Sequence, residues 1–191
     1  DMGMGANTIL TQMACEALGC PMESMTVVES DTDIVPFDPG SYASSTTYVT
    51  GTAAKMAAEE LREKIIHKLA QFMDVKPEDI DFDGLVGTTK DGTKKMSVQE
   101  LAPKLLVGTT CEQLTGFATW GSHTSPPPFM ASIAEVKVDK QTGQIIPLHM
   151  YNCVDCGTVV NPKLARVQVE GGAVQALSLI HISEPTRPEP I

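Results

Sequence analysis

The first residues whose types and spacing could do chemistry are two glycines, Gly3 and Gly5, placed before the apolar series Ile9, Met13 and Ala17. Glycine allows positive φ and lets a ligand approach the backbone. A helix that begins after such a turn offers free N–H groups and a positive dipole end to an anion. The stretch lacks the spacing of a dinucleotide fingerprint and the lysine of a P-loop. Two interpretations remain open at this point: an anion-binding loop, or a turn that only reverses the chain.

The cysteines are the other candidates for chemistry. The chain has five of them, and Cys153 and Cys156 form a single C-x-x-C. The odd count and scattered spacing predict reduced thiols in an intracellular, cytoplasmic protein. Because no second pair stands at zinc-finger spacing, a structural zinc site is disfavoured. We interpret the C-x-x-C as small buried residues in a strand and its exit rather than as a metal or redox centre.

Charge and composition narrow the partners. The chain has 191 residues, 42% of them hydrophobic, and 24 acidic against 14 basic side chains give a net charge of -10. These values are typical of a globular protein with one domain or two small ones. They argue against nucleic acid and anionic membrane surfaces as partners, because both bind basic patches. No apolar run approaches the roughly 20 residues of a membrane span.

The elements that must position these residues follow from periodicity, caps and turn residues. They predict an α+β fold of mixed sheets with packed helices. The predicted helices are at about 6–18, 48–72, 98–106 and 162–177. The predicted strands are at 24–29, 129–138 and 144–154, with a small hairpin elaboration at about 75–110 that contains short strands at 80–82, 85–88 and 94–96.

The long second helix has one apolar face and one charged face. Glu60 and Lys64 are four residues apart on the charged face, which also carries an exposed His67. The apolar face is formed by Val49, Ala53, Ala57, Leu61, Ile65, Leu69 and Phe72. The loop at 31–45 before this helix has no periodicity and many small residues, which is typical of a functional or mobile loop.

The last residues differ in character from the rest. Residues 178–191 break the helical pattern and end in prolines, and residues 177–187 match the translation of a transposon-type sequencing adapter. We therefore interpret 1–177 as the native part and 178–191 as a non-native or disordered tail. The alternative is a natural disordered terminus.

Four segments, in order, resemble the molybdenum hydroxylases, the xanthine dehydrogenase and aldehyde oxidase family. Asp1–Thr8 is similar to its E/D-x-G-Q-G-x-x-T segment. Residues 31–47, with Asp31-Thr32, Pro36, Asp38 and Gly40-Ser41, resemble its D-T-x-x-x-P-x-D-x-G-S-x-A-S-R-x-T block. Residues 134–143 fit a hairpin in the same order, and residues 155–175 resemble its D-x-G-x-x-(I/L)-N-P…Q-x-E-G-G-x-x-Q-G segment. The resemblance covers residues 1–177.

This resemblance implies part of the molybdopterin-binding domain of an oxidoreductase. Such enzymes hydroxylate a heterocycle or an aldehyde with oxygen from water. The implied cofactor is molybdopterin with molybdenum, usually as the cytosine dinucleotide. The implied partners are a small-molecule substrate and subunits or domains that carry iron–sulfur clusters and FAD, so the intact protein is expected to be a hetero-oligomer. The resemblance to purine hydroxylases, including selenium-dependent ones, is carried by residues 125–130.

The resemblance also assigns roles. Gln168 would bond the pterin, the 43–46 segment would line the pterin and phosphates, and Glu170 with Gly171 and Gly172 would set close packing of the last helix. The implied cofactor-binding residues are Met2, Gly3, Met4, Gly5, Ala43, Ser44, Thr46 and Gln168. No residue of the chain is expected to ligate the metal directly or to act as the catalytic base. That base is a glutamate in a downstream Gly-Glu-Pro segment, so the chain alone is expected to have no turnover.

The chain departs from the family pattern at three positions. Met4 stands in the place of the glutamine between the glycines, Ser45 in that of a frequent arginine, and Val167 in that of a glycine. Beside the family interpretation, two others remain: a non-catalytic anion- or nucleotide-binding module, and a structural domain whose motifs are only turns and caps.

Overall fold

The computed structural model describes residues 3–29, 31–38, 40–107, 111–122, 124 and 126–181. It contains four α-helices and five strands within these residues. The helices are α1 (Ala6–Leu18), α2 (Thr46–Met73), α3 (Val98–Leu106) and α4 (Pro162–His181). The strands are β1 (Ile80–Phe82), β2 (Val86–Thr89), β3 (Lys95–Ser97), β4 (Phe129–Val138) and β5 (Ile145–Asp155). The chain divides into two compact units at residues 124 and 125, and the predicted α+β class is confirmed.

The hydrophobic core of the first unit lies under the second half of α2. Leu69 and Leu101 are its fully buried side chains, and Phe82 and Met96 close it from the small sheet. The sheet β1–β2–β3 is an antiparallel meander, and each strand is within one residue of its predicted position. The predicted capping box begins α3: Ser97 Oγ accepts from Glu100 N, and Ser97 N donates to the Glu100 carboxylate.

The first half of α2 packs on α1. A Cβ on Gly51 would lie 2.6 Å from Met13 Sδ, so the two helices approach closely there. Nearer the other ends, the Arg62 guanidinium donates to the carbonyl of Leu18 and to that of Phe82. Since both sequence positions increase from the first contact to the second, α1 and α2 run in the same direction.

The second unit is a long hairpin and one helix. β4 and β5 pair from Phe129↔Asp155 to Val138↔Ile145, with a bulge at Glu135/Val136. The turn is the predicted one, because the Asp139 carboxylate accepts from the N–H of Gln141. Asn161 caps α4 through a bond from Leu164 N to its side chain. Both faces of the hairpin are largely exposed.

The predicted strand at 24–29 is wrong. A 3-10 turn occupies Met22–Ser24, and Met25 and the residues after it form no strand. Met25 has an extended backbone, with φ −103° and ψ 139°. A strand is defined by pairing with another strand, and none of the described strands pairs with this segment.

Three smaller predictions are also corrected. The helix predicted to stop at Leu177 continues to His181, because no proline or glycine follows until Pro185. Phe72 is 41% exposed, and Met73 takes its place in the core. The sheets were predicted to be mixed, but the described strands pair only in antiparallel fashion, because short turns join consecutive strands and no crossover connects them.

No described helix has the length and apolar character to cross a membrane.

Candidate functional site

The glycine turn before α1 is built as the sequence predicted. Gly3 has φ 93° and Gly5 φ 83°, a region open to glycine and strained for other residues. Gly5 is the N-cap of α1, and no side chain forms a capping hydrogen bond there. The first turn of α1 contains no acidic residue. A Cβ on Gly3 would meet no atom within 4 Å. The backbone at Gly3 is therefore open to a ligand on the side where a side chain would stand. Met2 lies outside the described residues.

The loop before α2 has a second unusual backbone. Ala43 and Ser44 are consecutive non-glycine residues with φ 51° and 55°. Such a conformation costs about 1–2 kcal/mol per residue for an L-amino acid. The loop is held by the Tyr42 carbonyl, which accepts from the N–H (3.2 Å) and the hydroxyl (2.9 Å) of Ser45, the N-cap of α2. Strain at a helix start is common where a backbone is shaped for a ligand.

An aspartate fixes this loop to its helix. One Asp38 carboxylate oxygen accepts from Gly40 N at 2.7 Å, and the other accepts from Thr50 Oγ1 at 3.1 Å. The loop is thus tied to the second turn of α2 rather than hanging from it. This contact could have been predicted from Asp and Gly two residues apart, a frequent Asx turn.

The two turns lie at the same end of the helix pair because α1 and α2 are parallel. The contact between Met13 of α1 and Gly51 of α2 serves as a common reference point. Gly5 precedes Met13 by eight residues, and Ser45 precedes Gly51 by six. At about 1.5 Å per residue, both N-termini lie roughly 9–12 Å beyond the crossing, at the same end. Neither first turn contains an acidic residue. Each end carries about half a positive charge, so together they suit a polyanion.

Sequence reasoning missed two aromatic residues at this end. Tyr48 is in the first turn of α2, and its ring meets the edge of Trp120 at a centroid distance of 4.9 Å. Hydrogen bonds from the Ser122 side chain and, second, from that of Thr124 lower the pKa of Tyr48. The segment that carries Trp120 lies along α2, where the Glu60 carboxylate accepts from Phe117 N at 3.0 Å. The one signal in the sequence was a lone tryptophan within a loop.

Gln168 belongs to the second unit. Its side chain is exposed on α4. It lies between Arg166 and Glu170 in the sequence, which form an ion pair with 2.6 Å between Arg166 Nε and Glu170 Oε1. Cβ atoms added to Gly171 and Gly172 would meet no atom within 4 Å. The predicted close packing at these glycines therefore has no partner among the described residues, and their smooth helix surface is open.

The thiols are arranged differently from the prediction. Cys153 and Cys156 are exposed, so the prediction that they are buried is wrong; β5 pairs only with β4, and nothing else covers that end of the hairpin among the described residues. Cys15 is buried beside Cys20, and this burial raises the pKa of the Cys15 thiol to about 11. Within the described part of the chain, no three His, Cys, Asp or Glu side chains are grouped so as to hold a metal ion.

Comparison with known proteins identifies the protein family to which the chain belongs. The sequence model of the molybdopterin cofactor-binding domain matches residues 1–186. The chain belongs to this family, and the resemblance to the large subunits of the molybdenum hydroxylases is confirmed. A role in holding the molybdenum cofactor follows from that membership.

Particular relatives and a solved structure agree. Probable hypoxanthine oxidase XdhD of Escherichia coli (strain K12) is 38% identical over 180 residues, 93% of this chain and 18% of that protein. Xanthine dehydrogenase molybdenum-binding subunit of Escherichia coli O157:H7 is 31% identical over 176 residues, 90% of this chain and 23% of that protein. Reconstituted CO dehydrogenase from Oligotropha carboxidovorans has a TM-score of 0.76 at 27% identity, covering 94% of this chain and 23% of that one. The chain spans about a fifth of the length of the relatives it matches.

Proposed function

We propose that this chain is the cofactor-holding part of an oxidoreductase that hydroxylates a purine-like heterocycle or an aldehyde with oxygen from water. The observation that carries the proposal is the pair of parallel helices whose turns, at Gly3–Gly5 and Ala43–Thr46, open at one end. A purine-like substrate is favoured by relatives named for hypoxanthine and xanthine. When bound, the molybdenum centre supplies the oxidation chemistry, and the residues of this chain supply only its binding and orientation.

The proposed ligand is molybdopterin in its cytosine dinucleotide form. The pyrophosphate of such a ligand would accept hydrogen bonds from the N–H groups at the starts of α1 and α2. The first turn of each helix contains no acidic residue that would repel it. The open backbone at Gly3 and the small side chains of Ala43, Ser44 and Thr46 leave room for it. Met2 and Met4 would lie against the cofactor, and Gln168 would bond the pterin.

The proposal extends to the assembly. Partner subunits or domains with iron–sulfur clusters and FAD would remove the electrons. Names such as "molybdenum-binding subunit" and "subunit gamma" among the relatives support a hetero-oligomer. The five cysteines are free thiols in the structure, which supports a cytoplasmic location. Because the chain is about a fifth as long as its relatives, we propose that alone it has no turnover.

The experiment is metal and pterin analysis of the intact subunit made in a cofactor-competent host. We expect about one molybdenum per subunit in the wild type. Gln168→Leu should lower molybdenum and pterin content at least several-fold. The same substitution should leave the thermal midpoint of the cofactor-free 191-residue chain unchanged, because the Gln168 side chain is exposed there. Gln99→Leu, an exposed glutamine on α3, is the matched control and should retain the cofactor.

Two outcomes would contradict the proposal. Wild-type subunit that copurifies without molybdenum would reject the cofactor role. If that subunit bound cytidine diphosphate instead, the non-catalytic nucleotide-binding alternative would replace it. Equal cofactor loss in Gln168→Leu and Gln99→Leu would reject the role of Gln168 alone.

A further inference from the structure

The C-terminal cap of α1 brings two cysteines together. Gly19 ends the helix with φ 84°, and the N–H groups of Gly19 and Cys20 both donate to the Cys15 carbonyl, at 2.7 and 3.1 Å. The bond that spans Gly19, from Cys20 N to Cys15 O, is that of a Schellman cap, in which the side chains at its two ends are frequently in contact. A hydrogen bond joins the two thiols here. The cap therefore places Cys15 and Cys20 side by side.

The separation of the two main chains suits a disulfide. With standard bond lengths and angles, the bond from Cys20 N to Cys15 O limits the distance between the two Cα atoms to at most about 6.4 Å. Disulfides form at Cα separations of about 4.4–6.8 Å. Because the thiols are hydrogen-bonded, the side chains also point toward each other. An S–S bond therefore needs no movement of the backbone.

Packing against the small sheet holds this cap in place. A Cβ on Gly84, in the turn between β1 and β2, would lie 2.2 Å from the carbonyl carbon of Gly19, so the two backbones are in direct contact. The Arg62 guanidinium donates to the Leu18 carbonyl at the same point. The positions of Cys15 and Cys20 are thus fixed by contacts that do not involve the thiols.

The two thiols differ in their access to solvent. Cys15 is 5% exposed. Burial raises the pKa of the Cys15 thiol to about 11, so this thiol keeps its proton at neutral pH. Cys20 is partly exposed, and both cysteines line a cavity of about 450 Å³ whose other walls include Gln12, Glu16 and Met22. A cavity of this size admits a small oxidant to Cys20.

We propose that Cys15 and Cys20 form a redox-active dithiol, a modification site at which a hydroperoxide converts the pair into a disulfide. The thiols of the structure are the reduced form of this pair. Intramolecular disulfides of cytoplasmic proteins are usually transient and redox-sensing, so the oxidised form is expected to be reversible by a thiol reductant. The inference is independent of the cofactor role, because the pair lies at the end of α1 opposite to Gly5.

The oxidation proceeds in two steps that begin at the more accessible sulfur. The Cys20 sulfur, as thiolate, attacks one peroxide oxygen; the O–O bond breaks, Cys20 becomes a sulfenic acid, and the other oxygen leaves as an alcohol, or as water from hydrogen peroxide. The Cys15 sulfur then attacks the Cys20 sulfur, and the S–O bond breaks. The proton of Cys15 leaves with that hydroxyl group as water. In total, two thiols lose two protons and two electrons, and the peroxide is reduced.

Peptide mapping of the 191-residue chain tests the inference. The chain is treated at neutral pH with equimolar hydrogen peroxide, and the remaining thiols are alkylated in denaturant. Trypsin then releases residues 1–55 as one peptide that contains Cys15 and Cys20 and no other cysteine, since Lys55 is the first basic residue. This peptide should be lighter by two hydrogens and carry no alkyl group. Dithiothreitol before alkylation should restore both alkyl groups.

Cys111 is the control for oxidation of a single thiol. It is exposed and is the one cysteine of the tryptic peptide 105–137. Because the oxidant is equimolar and the dithiol consumes it, Cys111 should keep most of its alkylation. Loss of alkylation at Cys111 equal to that in peptide 1–55 would show that the pair has no special reactivity and would overturn the inference.

Two substitutions separate the roles of the thiols. Cys15→Ala should stop the reaction at the Cys20 sulfenic acid, which a cyclic 1,3-diketone traps. Cys20→Ala should leave Cys15 fully alkylated after the same treatment, because Cys15 is buried. Circular dichroism shows whether each variant is folded. Cys20→Ala changes only a partly exposed side chain, so it tests the inference even where Cys15→Ala destabilises α1.

Three further results would overturn the inference. Two alkyl groups on peptide 1–55 after the oxidant would show that Cys15 and Cys20 are only packed side chains. A disulfide that joins two chains, seen as a dimer that a reductant dissociates, would assign the oxidation to contacts between molecules. A sulfenic acid trapped at Cys15 in Cys20→Ala would contradict Cys20 as the site of first attack.

Discussion

Ala43 has a left-handed backbone (φ 51°) that its Cβ disfavours. Ala43→Gly should therefore raise the free energy of unfolding by up to about 1 kcal/mol, and Ala43→Val should lower it by about 1–2 kcal/mol. Urea denaturation of the 191-residue chain measures both. Ala102→Gly in α3, an exposed helical position, is the control and should lower stability by about 1 kcal/mol. Equal losses in the two glycine variants would contradict strain at Ala43.

Asp91 should make stability depend on acid pH. The buried Thr89 hydroxyl donates to its carboxylate at 2.5 Å, and together with Thr93 it lowers the pKa of Asp91 from 3.8 to about 2. Because the folded pKa is the lower one, this contribution is complete above about pH 4 and disappears as the pH falls toward 2. The thermal midpoint of the wild type should approach that of Asp91→Asn over this range. Parallel curves from pH 2 to 5 would show that the carboxylate has no such effect.

Residue types predicted the turns at Gly3 and Gly5, since glycine is the residue that takes positive φ without cost. They could not predict the same backbone at Ala43 and Ser44, which is imposed by the Tyr42 carbonyl and the Asp38 carboxylate. The pairing of Tyr48 with Trp120 depends on a contact across 72 positions of sequence, which no local pattern reports.

At the scale of elements, Arg62 joins α1, α2 and β1. Its guanidinium donates to the carbonyls of Leu18 and Phe82 and lies 5.1 Å from the centre of the Phe82 ring. Arg62→Lys keeps the charge but cannot reach both carbonyls in a planar fork, so the free energy of unfolding should fall by about 1.5–3 kcal/mol.

Arg166→Lys is the matched control for that substitution. Arg166 is on the surface of α4, where its ion pair with Glu170 is solvated, and the change should stay within about 0.5 kcal/mol. Chemical denaturation followed by circular dichroism compares the two. If the free energy of unfolding falls no more in Arg62→Lys than in Arg166→Lys, the contacts of Arg62 with Leu18 and Phe82 do not stabilise the fold.

Helices were the most predictable elements, because their caps and periodicity are local. α1 and α3 have the predicted bounds, and α2 differs by a few residues. Strands β1 to β5 were also placed within one residue, since each pairs with a neighbour along the chain. The strand predicted at 24–29 failed because β structure needs a partner, and sequence alone does not show whether one is present.

At the scale of the whole molecule, the prediction that residues 178–191 are non-native can be tested by truncation. The Ser178 hydroxyl bonds only to the Gln175 carbonyl of its own helix among the described contacts. A chain ending at Leu177 should therefore unfold with a free energy within about 1 kcal/mol of the full chain. A chain ending at His181 is the control that keeps all of α4. A larger loss on removing 178–181 alone would mean that the last turn of α4 is part of the native fold.

The parallel arrangement of α1 and α2 has an energetic consequence. Side-by-side parallel helices align their dipoles, so the two positive ends repel each other when nothing lies between them. An anion placed there would remove the repulsion and contribute binding energy that appears as added stability, increasing as RT ln(1 + [L]/Kd). In a chain with a net charge of -10, the two helix starts thus supply a partial positive charge from their peptide N–H groups. Its occupancy can be read from a melting curve, before any turnover is measured.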